Sequence, residues 1–139
     1  MLVNRSTPRS TVIPECEVED VVEASDWLCR AFGFTVRVDI GSHRAQLNVG
    51  DGAVVLCERR PALGSRRAGR SSIIVRVDDV DRHHAQASLY GAKILRAPAN
   101  HPYGERQYVC EDPEGNLWTF SQTIADVAPE EWGGVSGRL

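Results

Sequence analysis

The chain has 139 residues, of which 42% are hydrophobic and 25% charged, with a net charge of −3. That composition suits one folded domain, or two small modules sharing a core, and excludes a disordered chain. The acidic balance lacks the basic footprint of a nucleic-acid binder, and no apolar run approaches the about 18 residues of a membrane helix.

In chain order, residues 1–10 are polar, contain Pro8 and are expected to fray, with no secretory signal opening the chain. Thr11 to Val18 reads as a strand. Asp20 is placed to cap a helix over Val21 to Phe32, where Val21, Val22, Ala24, Trp27, Leu28, Ala31 and Phe32 follow helical spacing and Gly33 closes the end. Strands are expected at Phe34 to Ile40, Arg44 to Val49 and Ala53 to Glu58, the last two joined at Gly50-Asp51-Gly52. Residues 11–58 thus make a first βαβββ module.

An Arg-rich linker follows over 59–70, with Arg59, Arg60, Arg66, Arg67 and Arg70 set among Gly, Pro and Ser; it reads as a solvated connection rather than a phosphate-binding patch. Residues 71–122 repeat the order: a strand at Ser72 to Val77, a helix from Val80 to Tyr90 capped by Asp79 and ended by Gly91, then strands at Ala92 to Leu95, Arg106 to Cys110 and Leu117 to Ser121. The last hairpin closes at Asp112-Pro113-Glu114-Gly115-Asn116, where Pro113 fixes φ, Gly115 supplies positive φ and Asp112 can bond forward onto the backbone. Val18-Glu19-Asp20-Val21 matches Val77-Asp78-Asp79-Val80, and Ala31-Phe32-Gly33 matches Leu89-Tyr90-Gly91. Together with the shared element order, these matches indicate an internal repeat of roughly 60 residues. The tail, 123–139, carries Trp132 as an anchor expected to dock the C-terminus.

Each helix can cover only one face of its sheet. The expected fold is therefore α+β: two tandem βαβββ modules forming a curved, half-barrel mixed sheet around a central pocket, the kind of concavity that binds ligands. Cys16, Cys29, Cys57 and Cys110 have wide, unpatterned spacing, so buried free thiols in a reducing cytoplasm are expected rather than disulfides or a zinc knot.

With paired βαβββ modules, V-x-D before each helix, AFGF at the first helix end and DPEGNLWTF in the last hairpin, the chain resembles the vicinal oxygen chelate superfamily over Thr11 to Gln122. That group includes glyoxalase I, bleomycin-resistance proteins, fosfomycin-resistance enzymes and extradiol dioxygenases, so the fold does not decide the chemistry. The resemblance implies a divalent metal held by His, Gln or Glu on inward strand faces. Counting from the capping Asp and turn Gly residues puts those positions at Ile13, Leu56, Ser72 and Thr119. Two lack any donor atom and two are neutral hydroxyls, so no metal and no cofactor are expected there; Glu58 lies two residues beyond Leu56.

If Ile13 faces inward, period-two alternation also turns Glu15 and Glu17 to the pocket and packs Val12, Cys16 and Val18 under the first helix. Likewise Ser72, Ile74 and Arg76, and Leu117, Thr119 and Ser121, are expected to face inward, with Trp118 and Phe120 in the core. Arg44, Gln46 and Asn48 are assigned to the pocket opposite buried Ala45, Leu47 and Val49. In the remaining strand Arg106 and Tyr108 are assigned inward, as a guanidinium and a phenol for a ligand carrying oxygen or aromatic groups; the alternative for Arg106 is a salt bridge to Glu15, Glu17 or Glu105. A buried Glu15 or Glu17 could act as a general base. His83 and His84 point about 100° apart on a helix and are assigned to the surface; His43 and His101 are assigned to the rim and a loop.

The expected ligand-contacting set is thus Glu15, Glu17, Arg44, Gln46, Ser72, Arg76, Arg106, Tyr108 and Thr119. The expected function is metal-free binding, and possible sequestration, of a small aromatic or cationic molecule, as in the bleomycin-resistance branch, where the resemblance also implies a homodimer. The alternative is a divergent lyase, isomerase or dioxygenase using a carboxylate base or a displaced metal.

Overall fold

A computed structural model describes residues 2–59 and 72–139. The order is β1 (Glu15–Val18), α1 (Val21–Phe32), β2 (Thr35–Ile40), β3 (Arg44–Val49) and β4 (Gly52–Glu58), then β5 (Ser72–Arg76), α2 (Val80–Leu89), β6 (Lys93–His101), β7 (Glu105–Glu111) and β8 (Leu117–Thr123). The Arg-rich linker, apart from Arg59, lies outside the described residues. Each module is a four-stranded mixed sheet, ordered β1-β4-β3-β2 and β5-β8-β7-β6, in which the first strand runs parallel to the last.

The helix boundaries follow from their caps. Asp20 and Asp79 have extended backbones, and their carboxylates accept from the amides of Glu23 and Arg82, satisfying one orphan donor at each helix start. Gly33, at φ 78°, closes α1 in the left-handed conformation with its amide on the Cys29 carbonyl. α2 stops at Leu89, one residue short of the expected end. β6 runs on to His101 through Pro98, past the expected stop at Leu95; it is an edge strand with register shifts between Ile94 and Ala99, where a missing N–H is tolerated. The first strand is shorter than expected, beginning only at Glu15, and Val12 is exposed rather than packed under α1.

The two modules meet through their helices. Phe32 at the end of α1 packs edge-on against Trp27, Phe34, Trp118 and Phe120, so one residue joins the apolar sides of both modules. Around it, Cys16, Val18, Leu28, Leu47, Leu56, Val80, Tyr108 and Cys110 form a single continuous core. Polar ties reinforce the seam: Trp27 Nε1 donates to the Tyr90 carbonyl (2.9 Å), and Gln86 Nε2 to the Arg30 carbonyl (3.1 Å). Arg59 reaches Glu19 of the first module (3.0 Å) and Glu114 of the second (3.5 Å).

Because the helix sides of both sheets share this core, the opposite, concave face of each sheet lies on its outer side. Among the described residues no ladder joins the sheets, and β1 and β5 have one strand partner each. The half-barrel is open.

Candidate ligand-binding site

The concave face of the second module carries a connected polar network. Strand register sets Ser72, Ile74 and Arg76 of β5 level with Leu117, Thr119 and Ser121 of β8, and Val109 and Gln107 of β7 opposite Thr119 and Ser121. Ser121 Oγ donates to Glu105 Oε1 at 2.6 Å and accepts from Gln107 Nε2 at 3.0 Å, while Tyr103 Oη donates to Gln107 Oε1 at 3.0 Å. Partial burial works to raise the Glu105 carboxyl pKa, but hydrogen bonds from Ser121 and Thr123 and the Arg76 charge outweigh it and hold Glu105 below the ordinary carboxylate range.

An aromatic shelf borders this network. His101 stacks on Tyr103 at 5.2 Å, and Trp132 of the tail packs at a tilt against Tyr103, also at 5.2 Å. The tail is brought there by Gly104, whose carbonyl accepts from the amides of Ile124 and Ala125. Gly104 has φ 82°, and a Cβ on it would stand 2.4 Å from the Ala125 carbonyl oxygen, so this approach requires glycine. Trp132 stays half-exposed.

The concave face of the first module is arranged differently. Arg44 Nη2 meets Glu15 Oε2 at 2.7 Å, and Asn48 donates to Thr35 Oγ1. Glu17 shares the face of Glu15, whereas Gln46 is buried. The N-terminal residues, expected to fray, instead lie against this face: Gln46 Nε2 donates to the Ser6 carbonyl at 2.9 Å and Arg37 Nη2 to the Arg5 carbonyl at 3.0 Å. Pro8 is buried beside them.

The placements of Arg106, Tyr108 and His83 are corrected. Arg106 and Tyr108 lie on the helix side of β7, and Glu105 and Gln107 on the concave side. Arg106 pairs with Asp81 of α2 (Nη2 to Oδ1, 3.0 Å) and Asn100, and not with Glu15, Glu17 or Glu105. Tyr108 is fully buried, its hydroxyl 2.6 Å from His83 Nδ1. His83, assigned to the surface, is partly buried, with Nε2 3.0 Å from the Phe32 carbonyl. A buried phenol needs a partner for its hydroxyl, and the α2 imidazole supplies it. Ser72, Arg76 and Thr119 do share the second concave face, as Glu15, Glu17, Arg44 and Gln46 share the first, but the two sets are not brought together within one chain.

The donor set does not fit a metal ion. Leu56 points into the core with no exposure; its concave counterpart is Val55, which stands opposite Glu15 as Thr119 stands opposite Ile74. Ile13, Val55, Ser72 and Thr119 offer two hydroxyls and no anionic or imidazole ligand. Among the described residues, no three His, Cys, Asp or Glu side chains gather as a metal site.

Residues 15–120 match the family model described as the Glyoxalase/Bleomycin resistance protein/Dioxygenase superfamily. Among solved structures, TioX from Micromonospora sp. ML1 is 34% identical, with 83% of this chain and 99% of that one aligned at a TM-score of 0.70. A glyoxalase/bleomycin resistance protein from Streptomyces sp. CB03234 is 26% identical, over 81% of this chain and 100% of that one, TM-score 0.67. A lactoylglutathione lyase from Agrobacterium tumefaciens shares the fold at 16% identity, over 93% and 100% of the two chains, TM-score 0.65. No curated protein matches.

Proposed function

This chain belongs to the glyoxalase/bleomycin resistance protein/dioxygenase superfamily, and we propose that it binds, without a metal, a small organic molecule carrying an aromatic ring and a cationic or hydrogen-bond-donating group. The observation that carries this reading is the Glu105 carboxylate, kept ionised by Ser121, Thr123 and Arg76 beside the Tyr103–Trp132 shelf. A lowered carboxyl pKa makes a poor general base and a good fixed anion, which favours binding over base catalysis by this carboxylate. Arg76, Ser72 and Thr119 complete the second-module face.

Glu15, Glu17, Arg44 and Gln46 belong to the other concave face, so joining the two sets requires a second copy of the chain. Support comes from β1 and β5, which have an open edge among the described residues, and from Ile74 beside that edge, 71% exposed. The bound species is a homodimer in which the first module of one copy faces the second module of the other. Sequestration follows if binding is tight and the ligand leaves unchanged.

The test is titration of aromatic cations into the dimer, read as the change in Trp fluorescence that Trp132→Phe abolishes. Saturable quenching in the presence of a chelator, weakened about tenfold by Glu105→Gln, supports the reading; roughly tenfold is the loss of one charge-assisted contact. Binding that appears only on adding metal, or turnover of the ligand, overturns it.

A further inference from the structure

The N-terminal segment lies against the first sheet and is held there by side-chain hydrogen bonds to its backbone. Two successive carbonyls, those of Arg5 and Ser6, each accept from a side chain on the concave face, Arg37 Nη2 and Gln46 Nε2. The two hosts are locked to one another, since Arg37 Nη1 donates to Gln46 Oε1 at 2.6 Å, and Gln46 is only 4% exposed. The guest is shaped for them: Asn4 Oδ1 accepts from the Ser6 amide and the Asn4 carbonyl from the Thr7 amide, forming a tight turn that aims both carbonyls at the sheet. Pro8 is buried just beyond, and Pro8, Arg9 and Ser10 border a cleft of about 190 Å³ with Arg37, Asn48 and Ala53.

We propose that the concave face of the first module is a binding site for a turn-shaped peptide or peptide-like amide presenting two adjacent carbonyls, and that residues 4–8 occupy it in cis. The site recognises backbone acceptors and a proline-sized apolar group, with side-chain identity elsewhere secondary. A tethered occupant acts at millimolar effective concentration, so an outside ligand reaches this face only by displacing the segment. This inference does not depend on the second-module face binding anything.

The experiment uses the full chain with Pro8→Asp, which removes the buried anchor while leaving Arg37 and Gln46 intact. The probe is a capped hexapeptide of residues 4–9, measured by isothermal titration. The Pro8→Asp chain binds it saturably and at least about tenfold more tightly than the unsubstituted chain, and adding Gln46→Leu reverses the gain. A capped peptide with aspartate in place of its proline binds weakly. Trypsin cleavage after Arg5 and Arg9, followed by mass spectrometry, reads the cis contact separately: Gln46→Leu alone speeds it. The proposal is overturned if the Pro8→Asp chain, folded by its melting curve, binds no peptide, or if Gln46→Leu leaves cleavage unchanged. Peptide binding there with no response to aromatic cations leaves this site standing and removes the second-module reading.

Discussion

The Tyr108 hydroxyl donates to His83 Nδ1 across 2.6 Å, which fixes the imidazole as the tautomer with its proton on Nε2, facing the Phe32 carbonyl at 3.0 Å. A carbonyl can only accept, so Nε2 carries a proton, and in the neutral imidazole Nδ1 is then the acceptor for the phenol. One side chain on α2 therefore ties the second sheet to the end of α1.

Burial lowers the His83 pKa below its ordinary 6.5, against a smaller opposing effect of the Phe32 carbonyl. The sign follows from proton binding: above about pH 6.5 both folded and unfolded His83 are neutral, and below it the unfolded chain takes up a proton that the folded one resists. His83 thus makes stability fall as pH drops from 6.5 toward its folded pKa. Urea unfolding at a series of pH values should show that slope in the native chain and lose it in His83→Gln. His83→Ala should cost about 2–3 kcal/mol at pH 7.5, because it orphans the buried Tyr108 hydroxyl.

Asp112 is the knot of the last hairpin, accepting from the amides of Glu114 (2.9 Å) and Asn116 (3.0 Å) and from Trp118 Nε1 (2.9 Å) while only 7% exposed. Asp112→Ala leaves a buried indole N–H without a partner. The expected loss is about 3 kcal/mol in denaturant unfolding, against a smaller loss for Asp112→Asn, which keeps an acceptor.

Ser121→Ala removes the 2.6 Å donor to Glu105 and the acceptor for Gln107. The Glu105 carboxyl pKa should rise back toward its ordinary value, as read by NMR titration of its carboxyl carbon. Arg76→Ala should shift it the same way. An unchanged Glu105 titration in both variants would mean the network does not hold the anion.

Much of the fold was written in short-range signals. The Asp20 and Asp79 caps, Gly33, and the Asp112–Asn116 turn each satisfy specific backbone groups, so their places could be read directly. Facing was legible where one set of alternate residues was wholly apolar, as with Ile73, Val75 and Val77 against Ser72, Ile74 and Arg76. It failed in β7, where both sets are mixed and the decision lies with α2: Tyr108 is buried because His83 takes its hydroxyl, and Arg106 is turned outward to Asp81. Alternation alone therefore puts Tyr108 and Arg106 on the wrong side, leaves Glu105 and Gln107 on the opposite face, and carries no signal for Tyr103. Counting four residues on from the turn glycine puts Leu56 in the cavity and is off by one residue, because Gly52 already pairs with Val49 in the ladder, while Gly115 precedes its strand. Arg37 and the segment it holds left no local trace, since a polar stretch with one proline carries no periodicity.

The concave faces carry separate carboxylates suited to an organic guest, and among the described residues no three His, Cys, Asp or Glu side chains gather to hold a metal ion. The most direct measurement is elemental analysis of the purified chain after equilibration with Zn²⁺, Ni²⁺ and Mn²⁺ and exhaustive dialysis. Retention far below one ion per chain, with no change in melting temperature, is the expected result. One tightly held ion per chain, lost on Glu15→Ala or Thr119→Ala, would contradict it.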